Sequence, residues 1–190
     1  MRFVLLLLGL SQCVAAVELH IQFGALERML TEQVFSQEGR RYVHGSKANK
    51  CNFAYLEKPQ VRGEGGRLRM KARFTGRTAL NVVGQCVGLG DAFDVVIAAM
   101  PVYKNGALGL QEVKVTSEGK SGYYIRRVCE AMQTSLAKEF KYPLEAEARK
   151  MVEEGAQPGY KRDVRKFTVP DIRVTDDALV LQVDFELTVK

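Results

Sequence analysis

The chain has 190 residues, 28 Lys and Arg against 22 Asp and Glu for a formal charge of +6, four cysteines and no tryptophan. That length suits one domain, and the mild basic excess reads as a solvated surface. No stretch reaches the roughly 20 apolar residues that a membrane-crossing helix needs, so the expected mature chain is soluble.

Residues 1–16, MRFVLLLLGLSQCVAA, set Arg2 before an apolar run from Phe3 to Leu10 and end with Val14 and Ala16 at the minus-three and minus-one places. They predict a secretory signal peptide followed by a single domain over 17–190. Gln12 stands where a lipid-attachment motif around Cys13 would need a small residue. The expected product is therefore unacylated, begins near Val17 and, without Arg2, carries 27 basic against 22 acidic residues, or +5. Export, periplasmic or secreted, leaves Cys51, Cys86 and Cys129 where disulfides persist.

After the opening VELHIQF, the segment GALERMLTEQVF spaces Leu26, Met29, Leu30 and Val34 along one face of a short helix. The polar SQEGRRYVHGSKANK has no period and reads as a loop, the most basic in the protein through Arg40, Arg41, Lys47 and Lys50. A strand runs through NFAYLE, the chain passes Pro59, and GEGG at 63–66 turns it. RLRMKARF is the clearest strand, because Arg67, Arg69, Lys71 and Arg73 alternate with Leu68, Met70, Ala72 and Phe74. TALNVVGQCVG reads as a less regular strand, with Gly84, Gly88 and Gly90 predicting bulges or strong curvature. AFDVVIAAMPVY is a long apolar strand, Asn105-Gly106 a hairpin turn and ALGLQEVKVT the return.

From Gly122 to Glu154 the apolar side chains recur at three- and four-residue steps. Tyr124, Ile125, Val128, Cys129, Met132, Leu136 and Phe140 come first, then Leu144, Ala148, Met151 and Val152. This predicts one long amphipathic helix, bent at Pro143 or restarted there. KFTVPDIRVT and ALVLQVDFELTV close the chain across a turn at Asp176-Asp177, the latter with Leu179, Leu181, Val183, Phe185, Leu187 and Val189 on one face. The expected fold is α+β: a strongly curved antiparallel sheet of about six to seven strands wrapped around the long helix, plus the short N-terminal helix. Cys51 and Cys86 fall at strand ends and are expected to pair. Cys129 lies on the apolar stripe of the helix and is expected to be a buried thiol.

No pattern assigns a reaction. His20 and His44 are the available neutral-pH bases, HGS at 44–46 is no nucleophile elbow, and no Cys/His spacing fits a metal. GEGG precedes a strand rather than a helix, so it is a turn and not a phosphate loop. The expectation is a protein without catalytic residues, metal or cofactor. Nucleic acid is set aside, since the chain is exported and the basic face of that strand shows no aromatic stacking pattern. The row Arg67, Arg69, Lys71, Arg73 could instead face anionic headgroups, with Arg62 or Arg40 extending it. Met29, Met70, Met132 and Met151 fall on apolar faces and Met100 in the apolar strand, a lining able to adapt to a floppy ligand.

In element order and face patterning, over nearly the whole mature chain, the sequence resembles the TULIP superfamily of tubular lipid-binding proteins, above all its small bacterial single-module members. The resemblance implies an acyl chain or other apolar molecule held between the long helix and the curved sheet. The lining it implies is Leu68, Met70, Ala72, Phe74, Ile125, Met132, Leu136, Leu181, Val183 and Phe185. The alternative is an envelope or secreted protein with a closed core, binding a protein or an anionic membrane surface through the basic strand.

Overall fold

In a computed structural model, which describes residues 17–154 and 161–189, the six strands β2 Arg40–His44, β3 Asn52–Glu64, β4 Arg67–Val82, β5 Gln85–Lys104, β6 Ala107–Glu118 and β7 Lys141–Tyr142 pair in chain order. Every pairing is antiparallel, and the sheet curls into a half-barrel. Tight turns explain the order. Gly65 and Gly66 turn β3 into β4, and Asn105 and Gly106, both at positive φ (52° and 78°), turn β5 into β6. The expected signal peptide, residues 1–16, lies outside the described residues.

A second sheet, β1 Val17–Gln22, β8 Arg162–Val174 and β9 Ala178–Val189, has the order β1-β9-β8 and closes one end of the half-barrel. Its β8–β9 turn abuts β3 so closely that a Cβ on Gly63 would stand 1.8 Å from the Thr175 carbonyl oxygen. Only glycine allows that approach. The opening VELHIQ is thus a strand, with Leu19 opposite Leu181 and Ile21 opposite Leu179.

The helices are shorter than the periodicity suggests. α1 covers Phe23–Met29 and continues as a π turn over Leu30–Val34. The expected single helix over 122–154 is instead α2 Tyr123–Glu139 and α3 Leu144–Glu154, separated by β7. The break is local chemistry. Proline disfavours helical backbone at the preceding residue, Tyr142, which pairs with Leu108 of β6 instead. Phe140 is already extended, and the Pro143 carbonyl accepts the Glu147 N–H at 3.0 Å to begin the new helix.

Two further expectations change. The basic loop after α1 contains β2, an edge strand paired with β3, whose weak period comes from its polar ends. TALNVVGQCVG is a hairpin tip rather than one strand: β4 runs to Val82, Val83 and Gly84 turn at φ 47° and 80°, and β5 returns. A β-branched residue rarely adopts that backbone, which is why the turn carries no ordinary sequence mark. The Gly84 N–H donates to Asn81 Oδ1 at 2.9 Å and helps to hold it.

Two apolar cores result. The first lies between α2 and the concave face of β4–β6, around Phe74, Phe93, Val95, Ile97, Ile125, Cys129 and Met132, with Phe35 and Leu56 beside them. The second lies beneath the three-stranded sheet, around Leu179, Leu181, Val183, Phe23, Leu108 and Leu144.

Candidate functional site

The ten positions implied as a groove lining divide between these cores. Ala72, Phe74, Ile125 and Met132 are buried in the first core, and Met70 and Leu136 pack against it. Leu181 and Val183 are buried in the second, with Leu68 packed on it, while Phe185 is 42% exposed. The six brought together fill the space beneath α2 rather than line an opening. Phe74 and Phe93 close it from the sheet with ring centroids 4.8 Å apart. A depression of about 310 Å³ lies elsewhere, bordered by Gln60, Val61, Arg62, Arg69, Lys71, Val96 and Glu118, so that four charged side chains share its lining with two valines.

The basic row on β4 is largely neutralised by its neighbours. Arg67 bonds Glu112, Arg69 bonds Glu64, Lys71 bonds Glu118, and Arg73 donates to Asp94 at 3.0 Å, while Arg62 reaches Glu64 at 3.2 Å. Five cations thus meet four carboxylates. The hydrogen bond from Arg73 holds the Asp94 carboxyl below its usual range, and that from Arg69 does the same for Glu64. Little free charge is left on this face to draw a polyanion.

Cys51 and Cys86 form a disulfide with Cα atoms 5.2 Å apart. Cys129 is a free buried thiol whose pKa burial pushes up. Among the described residues no three His, Cys, Asp or Glu side chains are placed to hold a metal ion, and no helix is long and apolar enough to cross a membrane. His20 lies exposed beside Glu18, and His44 is also exposed.

The surface that stands apart is the far end of the β4–β5 hairpin. Thr78 is the last β4 residue paired with β3, and Asp94 the β5 residue nearest the turn that pairs with β6. Between them the hairpin leaves the sheet as a two-stranded ribbon, projecting roughly 17 Å from Thr78 to Val83 at about 3.4 Å per residue. Residues directly opposite in an antiparallel pair share a face, and alternation continues the face of Phe74 and Phe93 through Thr78–Leu89 and Leu80–Val87 to Val82. Leu80, Val82, Val87 and Leu89 on that face are 76, 50, 60 and 74% exposed, and Val83 at the tip is 98% exposed.

The ribbon is anchored near both ends. Close to the tip the disulfide ties Cys86, which pairs with Asn81, to the segment before β3, and at the root Lys120, just ahead of α2, bonds the Asp91 carboxylate and donates to the Ala92 carbonyl at 3.2 Å. Tyr123 and Tyr124, in the first turn of α2, are exposed at this same end. Sequence reasoning missed the ribbon as a site, although a mark is present: Thr78 to Gly90 contains no charged residue, in a chain where 26% of residues are charged.

No family model matches the chain, and no curated protein matches it. Among solved structures it is similar to the crystal structure of lipopolysaccharide binding protein, at 10% identity and a TM-score of 0.30. That match covers 92% of this chain and 50% of the other, so the chain spans half the length of that structure.

Proposed function

We propose that this is an exported, non-catalytic protein that binds a lipid or other apolar chain, and that the ligand lies along the inner face of the β4–β5 ribbon where it emerges from beneath α2. One observation carries the reading: Leu80, Val82, Val87 and Leu89 extend the face of the buried Phe74 and Phe93 outward and are half or more exposed among the described residues. An acyl chain laid there would gain about 0.8 kcal/mol for each methylene removed from water, without needing a polar contact. The reading moves the ligand from the filled space under α2 to the mouth of that space. Export is supported by the disulfide. The curled antiparallel sheet with helices against its concave side supports counting the chain as a small relative of the tubular lipid-binding proteins.

Titration with a fluorescent fatty acid tests this. Leu80→Asp and Leu89→Asp are expected to weaken binding tenfold or more with the thermal midpoint nearly unchanged, because both side chains are largely exposed. Binding equal to that of the parent in both variants, or no binding by the parent, would sink the reading.

A further inference from the structure

We infer that the β4–β5 ribbon docks this protein on an anionic bilayer surface, seating its tip at the boundary between headgroups and acyl chains. The inference rests on reading the ribbon as the lipid-facing surface. It adds the partner that surface meets, and three features of the ribbon's end carry it.

The tip and the root differ in character. Thirteen residues, Thr78 to Gly90, carry no charge, and the most exposed of their apolar side chains is Val83 at the turn. Cations gather beside the ribbon. Arg77 immediately precedes the uncharged stretch at the root, Lys50 adjoins the Cys51 that is bonded to Cys86 two residues from the turn, and Arg126 lies in the first turn of α2. Lys47, Lys120 and Arg127 nearby are matched by Glu38, Asp91 and Glu130. Arg77, Lys50 and Arg126 have no carboxylate partner among the described residues, Arg126 lying over the Tyr123 ring at 5.9 Å. An apolar end rimmed by unmatched cations complements an anionic bilayer, whose apolar layer lies under negative headgroups. The exposed Tyr123 and Tyr124 have the amphipathic rings favoured at that depth.

The ribbon's hydrogen bonding sets how far it enters. Past Thr78 on one strand and before Asp94 on the other, no third strand among the described residues pairs with the outward N–H and C=O groups. Hydrocarbon would leave them unpaired, so the ribbon does not span but rests about 5–10 Å into the interface, where water and headgroups complete them. A second copy of the chain is the poorer occupant. It would set Arg77, Lys50 and Arg126 against their own counterparts.

Flotation of the disulfide-bonded protein with phosphatidylcholine vesicles, with and without phosphatidylglycerol, tests the inference. The parent should float with the phosphatidylglycerol vesicles and less with phosphatidylcholine alone. Arg77→Glu reverses one charge at the root and should lower partitioning about 30-fold. Val83→Asp should lower it about tenfold or more. Lys138→Glu, at the opposite end of α2, makes the same change in net charge and should float like the parent. A parent that floats with neither vesicle, variants that float like the parent, or a Lys138→Glu protein that falls as far as Arg77→Glu would each overturn the inference. So would a stable dimer dispersed by Val83→Asp, because a second copy would then hold the ribbon. Fatty-acid titration on the same samples separates the two readings. A parent that binds fatty acid but no vesicle loses this inference alone, whereas vesicle docking lost in both variants supports it even where no fatty acid binds.

Discussion

The two halves of the β4–β5 hairpin follow one alternation and meet opposite surroundings. Nearer the sheet centre, Ala72, Phe74, Phe93 and Val95 are at most 2% exposed, because α2 lies across them and β3 and β6 pair on either side. Further along the same strands, Leu80, Val82, Val87 and Leu89 point to the same side with neither helix nor flanking strand among the described residues. Apolar patterning states which face seeks cover, and only the length of the neighbouring elements states where cover ends. A face that outruns its cover is where an apolar partner can be received.

The comparison is broken most directly by truncating one side chain in each half. Phe74→Ala should cost about 3–5 kcal/mol, because its ring packs on Phe93 and leaves a cavity. Leu80→Ala, on the same face six residues on, should stay within about 0.5 kcal/mol. Urea midpoints for the two variants measure this. Equal costs would mean that the ribbon is covered in solution. Next in size is the staple. Replacing both Cys51 and Cys86 by serine opens a loop of sequence separation 35 and should cost about 2–4 kcal/mol. Hydrogen exchange would sharpen the result, since amides between Thr78 and Gly90 should lose protection before those around Phe74 and Phe93. Uniform loss would show that the disulfide serves the whole fold rather than the ribbon.

Much of this was legible in the residues, and the failures share a cause. The β4 alternation, the Asn105-Gly106 turn and the span of the last strand could be read because each rests on local chemistry, whereas the Cys51–Cys86 pair followed from the expected compartment and from the place of Cys129 on the helix stripe. The continuous helix could not, because its three- and four-residue spacing persists across Pro143 while the backbone pauses to pair Tyr142 with Leu108. Nor could the second sheet, since nothing local in VELHIQF shows that its partner lies some 160 residues away in β9. The turn at Val83-Gly84 lacks the usual asparagine or aspartate, so two strands looked like one irregular strand. Nine of the ten positions of the implied lining divide between two packed cores, and Phe185 is exposed. Alternation cannot tell a residue packed against another element from one left uncovered. The absence of charge from Thr78 to Gly90 could have told them apart, because a solvated ribbon ordinarily carries charge on at least one face.

The smallest expected effect lies at the joint between the halves, where two carboxylates mark the end of the covered region. The Asp91 carboxyl is held below its usual 3.8 chiefly by the hydrogen bond from Lys120, then by the Ala92 N–H, and Asp94 chiefly by the hydrogen bond from Arg73. A carboxyl whose folded pKa is depressed stabilises the fold at pH above its unfolded value, and that contribution is lost as pH falls through the folded value. Both groups are solvent-facing and screened, so the loss should be modest and confined to pH below about 4. Thermal midpoints of the parent should therefore be flat near neutrality and decline on acidification, whereas Asp91→Asn should start lower and decline less steeply. Because Lys120 leads into α2 and Asp91 into the ribbon, acid should also loosen the ribbon's root before it reaches the Phe74–Phe93 core. Exchange at Ala92 should then rise at a higher pH than exchange at Val95. If both amides open together, or if Asp91→Asn follows the parent through the whole acid range, the ribbon and the covered sheet are one cooperative unit and the boundary drawn between them is not an energetic one.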